Sequence, residues 1–322
     1  MIEMAFSTDD LVHTRFAVSP LWEAVASLRS LRDPGSHALH LPWVEMARPR
    51  VAGLDLAPLE ALLATSGYTP DFLTPPPGTP LPDIREELDR LRATPPEEVR
   101  HELSWRFPDG RLPAVLRPLL DSAEEELERI AGLIGAYWDR AVAPVWPSLH
   151  ALLEGDVLYR ARQIAAGGAW RLFRGLHPSV TFAGGVLRVA KPPDVHVDLG
   201  GRGLLLMPSA FAWPEVFAVI DPPWQPTLIY PPRGVGALWQ AHSPDAPEAL
   251  AALMGRSRAR ILSELDQPVS TTELARRLSM GSSLVSQHLG VLRAAGLVTP
   301  HRQGRVVLYA RTARGQGLVS GA

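Results

Sequence analysis

At 322 residues the chain is long enough for two domains, each with a core of its own. It is 46% hydrophobic and 20% charged and holds no cysteine, which excludes disulfides, thiolate catalysis and cysteine-bound metal. The formal net charge of −2 conceals two opposed halves. From Pro247 onward ten arginines face four acids, a net of +6, while the preceding residues carry 22 bases and 30 acids, a net of −8. A basic module joined to an acidic one points to a polyanionic partner for the first alone. Residues 1–10 are acidic and lack the apolar stretch of a secretory signal, and no apolar run approaches membrane-spanning length. A cytoplasmic location away from membranes is expected.

Near the start, Ser7 with Asp10 reads as a helix cap, and Ser19-Pro20 puts a capping hydroxyl before proline at a first helical position. Leu11, Phe16, Leu21, Trp22, Val25 and Leu28 follow with helical apolar spacing, ending near Asp33-Pro34-Gly35. A short helix is expected over residues 54–63, a proline-rich connector over 73–81, and helices over 84–91 and 95–105. Residues 112–133 read as one longer helix with Glu124 to Glu128 on its solvated face, and helical pattern continues over 138–153 and 157–167.

After Trp170 the pattern changes to short apolar or alternating runs over 179–182, 186–189, 195–198, 203–207, 216–220 and 227–230, separated by glycines and prolines. These predict a small antiparallel sheet packed on the preceding helices. Ser243-Pro244-Asp245-Ala246-Pro247 is a polar joint. The expected fold class is therefore α+β. A mixed helical and antiparallel-sheet domain spans 1–245, with a regulatory or assembly role, and a C-terminal winged helix-turn-helix spans 246–322.

The winged module is the most legible stretch. Residues 249–265 supply a first helical segment, and Ser270-x-x-Glu273 forms a capping box that opens a helix with Leu274, Ala275 and Leu278 as its buried stripe. A three-residue break precedes a second helix from Ser282. At about 100° per residue, Leu284, Val285, His288, Leu289, Val291, Leu292 and Ala295 share one arc of that helix. Ser282, Ser283, Ser286, Gln287, Gly290, Arg293 and Ala294 share the other, a short hydrogen-bonding face suited to the major groove. Gln287 can pair bidentately with adenine, Arg293 is placed for phosphate, and His288 is a packing residue first and a base reader second. A hairpin follows, with Gly304 in its turn and His301, Arg302, Gln303 and Arg305 at or beside the tip, where a phosphate or minor-groove contact is expected.

The Ser-Gln-His-Leu of Ser286 to Leu289, the Leu-Arg-Ala-Ala-Gly-Leu-Val of Leu292 to Val298, and Gly304-Arg305 with Tyr309 resemble the arsenic-repressor (ArsR) family of bacterial winged-helix regulators. The resemblance spans residues 248–314, about a fifth of the chain. It implies a homodimer that binds double-stranded DNA at a pseudo-palindromic operator and represses by occluding the promoter. Metal-sensing members of the family carry cysteines on the helix before the recognition helix, where this chain has Thr272-Glu273-Leu274-Ala275-Arg276-Arg277. Others use an Asp/His cluster on a helix after the wing, and neither set of ligands is present. The long N-terminal domain lies outside the minimal family. It is similar to the N-terminal halves of some longer regulators from bacteria of high GC content, and that likeness implies no ligand.

No catalytic wording stands out in that domain. Gly234-Val235-Gly236 is not continued into a dinucleotide fingerprint, and Gly200-Gly201-Arg202-Gly203 lacks the lysine and hydroxyl of a phosphate loop. His37-x-x-His40 could bind metal on one helical turn but, between Pro34-Gly35 and Pro42, reads as two solvated loop histidines, and His196 with Asp198 reads equally as a pair that orients a ligand or as one wet face of a strand. Trp170, Trp213, Trp224 and Trp239 with Phe211, Phe217 and Tyr230 read as core packing that can also line a small-molecule pocket. No catalytic residue, cofactor or metal site is expected, and a small-molecule effector would bind the N-terminal domain. The alternatives are an enzyme or ligand-binding protein anchored by its winged helix, or a constitutive architectural DNA binder.

Overall fold

Residues 1–64, 68–239, 248–266, 268–303 and 306–320 are described by the computed structural model, except for the side chains at 237, 248, 249, 301, 303, 306 and 320. Contacts divide the chain into Met1–Trp239 (unit 1) and Gln240–Ala322 (unit 2).

Unit 1 opens with β1 (Ile2–Ala5), α1 (Thr8–His13), β2 (Arg15–Phe16) and α2 (Pro20–Arg32). Then come α3 (Leu41–Val51), α4 (Ala57–Leu62), α5 (Ile84–Arg92), α6 (Pro96–Arg106), α7 (Pro118–Asp121), α8 (Ala123–Tyr137) and α9 (Trp146–Phe173). The strands β3 (Val180–Ala183), β4 (Val186–Val189), β5 (Val195–Asp198), β6 (Leu205–Pro208), β7 (Phe217–Val219) and β8 (Thr227–Tyr230) complete it.

The two expected caps form. Ser7 accepts from Asp10 N while the Asp10 carboxylate accepts from Ser7 N, and Ser19 accepts from Trp22 N with Pro20 at the first helical position. The helical spacing expected from Leu11 through Phe16 does not hold, because Phe16 lies on β2 between two separate helices. Residues 112–133 are likewise not one helix. A 3₁₀ turn at Ala114–Leu116, α7 and a break at Ser122 precede α8. Glu126 is buried and accepts from Arg129 at 2.8 Å, so the acidic run is not wholly solvated.

The expected single antiparallel sheet is in fact two four-stranded mixed sheets, ordered β3-β4-β1-β5 and β2-β6-β8-β7. β1 runs antiparallel to β4 and parallel to β5, while β2, β6 and β8 are mutually parallel neighbours in sequence of pairing. The second sheet is buried on both faces. Leu205 and Met207 of β6 join the helical core with Leu21, Trp43 and Ile134, whereas Leu204 and Leu206 meet Met4, Leu187 and Val189 of the first sheet. That two-sided burial explains why these strands read as unbroken apolar runs. The first sheet turns its other face to solvent, where Glu3 accepts from Arg188 at 2.7 Å and pairs with exposed His196 at 2.9 Å.

Three buried or half-buried carboxylates tie distant segments together. Glu23 accepts from Ala210 N and Phe211 N, Glu87 from Ser19 Oγ and Leu21 N, and Glu102 from Asp71 N and Phe72 N. Contrary to the solvated-loop reading, His40 is fully buried, stacks 4.6 Å from Phe211, and accepts from Trp239 Nε1 at 3.0 Å. Burial holds its imidazole down to about 4. Trp213 and Trp239 share this aromatic cluster, but Trp170 is exposed, under the Arg174 guanidinium at 4.9 Å.

Unit 2 comprises α10 (Glu248–Met254), α11 (Arg256–Ser263), β9 (Val269–Ser270), α12 (Thr271–Leu278), α13 (Ser282–Ala294), β10 (Val298–Gln303), β11 (Val306–Arg311) and α14 (Ala313–Ser320). The first helical segment is two helices, broken where Gly255 takes φ +87°. Ile261, Leu262, Leu274, Leu278, Val285, Leu289 and Leu292 form the core.

Candidate nucleic-acid interface

The geometry of unit 2 begins at Ser270, whose hydroxyl accepts from Glu273 N at 3.2 Å and opens α12. Only this half of the expected capping box forms. The Glu273 carboxylate turns outward instead to Arg276 and Arg277, at 2.7 and 2.9 Å, and these guanidiniums hold it down to about 2. α12 closes at Ser279, a non-glycine residue in the left-handed region (φ 52°), with Met280 N donating to Ala275 O at 2.9 Å. Met280 and Gly281 complete the turn, and α13 starts at Ser282.

One narrow stripe of α13 enters the core: Val285, Leu289 and Leu292, at i, i+4 and i+7. The wider apolar arc read from sequence is not all covered. Leu284 and Val291 are 43% and 45% exposed and Ala295 is exposed, while His288 is half-buried between them. The core is a small three-helix wedge, so it takes one row of side chains and leaves the adjacent row at its margin. Ser282, Ser283, Ser286, Gln287, Gly290 and Arg293 are all exposed, as the helical wheel requires. α13 ends where Gly296 takes φ +71°, with Leu297 N donating to Leu292 O at 2.9 Å. That closure is the physical content of the Ala-Ala-Gly-Leu wording.

The chain then forms the wing. β10 and β11 are antiparallel and in register from Val298 opposite Arg311 to Gln303 opposite Val306. Gly304 and Arg305, expected at the turn, lie outside the described residues, as do the side chains of His301 and Gln303. Arg302 is exposed on β10. A third strand, β9, which the sequence reading missed, pairs antiparallel with β11 through Ser270 opposite Leu308 and Val269 opposite Tyr309. At two residues it is too short for an alternation signal, and its only trace is Val269 before the cap. Its pairing ties the wing to the start of α12. Thr312 then donates to Gly296 O at 2.7 Å and anchors α14 beside the end of α13.

Three helices with a tight turn before the last, closed by a hairpin, define a winged helix-turn-helix. Comparison with known proteins agrees. Residues 253–301 match the family model described as a helix-turn-helix domain. Over 65 residues, 20% of this chain and 48% of the relative, the sequence is 45% identical to the HTH-type transcriptional repressor SmtB of Mycobacterium tuberculosis. Over 61 residues, 19% of this chain and 51% of the relative, it is 44% identical to the HTH-type transcriptional regulator NmtR of the same organism. The chain spans about half the length of the curated relatives it matches, and no solved structure matches it. The matched residues 253–301 all lie in unit 2, a winged helix-turn-helix that resembles the ArsR type.

Among the described residues no group of three or more histidines, aspartates or glutamates is placed to hold a metal ion. No helix among them is long and apolar enough to cross a membrane.

Proposed function

We propose that the protein is a sequence-specific DNA-binding transcriptional regulator that acts as a homodimeric repressor in the cytoplasm. The observation that carries this reading is the row Ser282, Ser283, Ser286, Gln287 and Arg293, exposed along the second helix of the helix-turn-helix. In the major groove these hydroxyls and the Gln287 amide meet base edges and phosphates, with the exposed glycine at 290 permitting close approach. His288, half-buried, supports the helix from its margin and reads a base only secondarily. His301, Arg302, Gln303 and Arg305 of the wing contact phosphate or the minor groove. The net of +6 in this part of the chain supports the same partner. The names of the two relatives, a repressor and a regulator, support the regulatory role.

Unit 1 then decides when the operator is occupied, through a small-molecule effector or through assembly. The test is footprinting on promoter fragments from the native host with wild type and Gln287→Ala. The substitution relaxes preference at one base position by about 1–3 kcal/mol and leaves non-specific binding intact. An unchanged preferred sequence refutes the groove assignment.

A further inference from the structure

Unit 1 contains a recess built from segments far apart in sequence. A chamber of about 160 Å³ lies between Trp22, Thr69, Asp71, Trp105, Lys191 and Phe217. Along Lys191 to Pro193 the same walls border a wider groove of about 690 Å³ that reaches Arg106, His177 and Glu215. The inner chamber has room for a single six-membered ring, since an apolar cavity of about 150 Å³ engineered in another protein binds benzene.

The chamber wall carries groups of both charges. One is Lys191, the only lysine in the chain, whose Nζ donates to Val216 O at 2.9 Å and lies 4.7 Å from the centre of the Phe217 ring. The Arg29 guanidinium lies 4.2 Å over the same ring and donates to the Thr69 hydroxyl of the chamber wall. Arg29 is only 6% exposed, and its Nε has no hydrogen-bond partner among the described residues. Among the described residues Glu215 is the acid that acts on both cations. Burial opposes both charges, lowering Lys191 and bringing Arg29 to about 10, and an anion placed beside them relieves that opposition. Asp71 and Asp221 also line the chamber, and burial with the nearby Glu102 and Asp221 raises the Asp71 carboxyl well above its ordinary range, against a negative charge there.

We propose that this recess binds a small aromatic carboxylate, its carboxylate on Lys191 and its ring against Phe217 and Trp105. The aromatic walls supply the apolar contact, and half-buried Lys191 with buried Arg29 behind the Phe217 ring selects the sign of the ligand's charge. The site does not depend on the DNA-binding reading, and it is tested without DNA.

The experiment is calorimetric titration of the full chain with benzoate, benzyl alcohol and benzylamine at neutral pH. Benzoate binds tenfold or more tightly than either of the others, about the worth of one charge-assisted hydrogen bond. Lys191→Met removes about that factor for benzoate and leaves benzyl alcohol unchanged. Trp105→Ala, at a position 61% exposed and so harmless to the fold, weakens benzoate and benzyl alcohol alike. Should Lys191→Met fail to fold, Lys191→Arg serves in its place and keeps the preference for benzoate over benzylamine. The proposal is overturned if benzoate does not bind, if benzylamine or benzyl alcohol binds as tightly, or if both the Lys191 and Trp105 variants keep wild-type affinity for benzoate. None of these results alters the operator assay, and loss of operator binding alters none of these.

Discussion

Replacing Asp156 by alanine removes the centre of the most deeply buried charge network in unit 1. Its Oδ1 accepts from Arg233 N at 3.0 Å, and its Oδ2 accepts from Tyr230 Oη at 2.9 Å and faces Arg160 Nε at 3.4 Å. Asp156 and Arg160 are 3% and 1% exposed, so water cannot replace the lost carboxylate. Arg160 then keeps the Gly175 carbonyl at 3.3 Å and the Tyr230 and Tyr159 ring faces at 5.4 and 5.7 Å, with its charge intact. Breaking a buried pair from one side costs about 3–5 kcal/mol. For a unit the size of Met1–Trp239, roughly 2–4 °C is lost per kcal/mol, a fall in Tm of about 6–20 °C. Scanning calorimetry of the full chain reads it. Tyr230→Phe, which removes one hydrogen bond, costs about 1 kcal/mol and sets the scale. The double variant Asp156→Leu with Arg160→Met is more stable than Asp156→Ala alone, because no charge is then stranded. The reasoning fails if Asp156→Ala costs no more than Tyr230→Phe, or if the double variant is the less stable of the two.

Leu289→Ala empties the middle of the α13 stripe, where Leu289 is fully buried, and costs about 2–5 kcal/mol. Operator binding and the unit 2 thermal transition are lost together while the unit 1 transition stays in place; retained binding would refute the packing assignment. Burial raises Glu23 and Glu102 to about 7 and Glu87 to about 8, from an ordinary 4.5. The folded form therefore holds these protons more tightly than the unfolded form. Their contribution to stability is full below about pH 4.5 and is lost as pH rises through 7 to 8. The unit 1 Tm accordingly rises when pH is lowered from about 8.5 to about 6.5, above the range where neutral, buried His40 begins to oppose the trend. A flat or falling Tm across that interval contradicts the burial of these carboxyls in protonated form.

Local chemistry was legible wherever a single element settles it. Ser7, Ser19 and Ser270 cap their helices because each hydroxyl oxygen sits within reach of a first-turn backbone N–H that has no partner inside the helix. The exposed row of α13 was legible for the same reason, since helical period alone separates Gln287 from Leu289. What stayed hidden depends on pairing between distant segments. β1 sits among acidic residues at the chain start, yet it is an inner strand because residues 186–189 and 195–198 arrive on either side of it. His40 reads as solvated in a proline-flanked loop, and only the later Phe211 and Trp239 enclose it. Glu273 satisfies the capping-box spacing, but two arginines on its own helix offer the carboxylate stronger partners than one backbone N–H. Lys191 gave no sequence signal beyond its being the sole lysine, because its site is assembled from α2, α6 and the strands.

The chain thus presents cationic groups in two settings whose physics differ. On unit 2 they stand at the surface of a module whose residues from Pro247 onward carry a net charge of +6, open to a long polyanion and screened by salt. In unit 1, where 22 bases face 29 acids for a net of −7, Arg29 and Lys191 lie beside an aromatic-walled recess of about 160 Å³. A duplex backbone is far too wide for the chamber, whereas a small monoanion is not. Affinity for DNA should consequently fall steeply with added salt, while benzoate affinity, resting on partly buried charges, changes little over the same range.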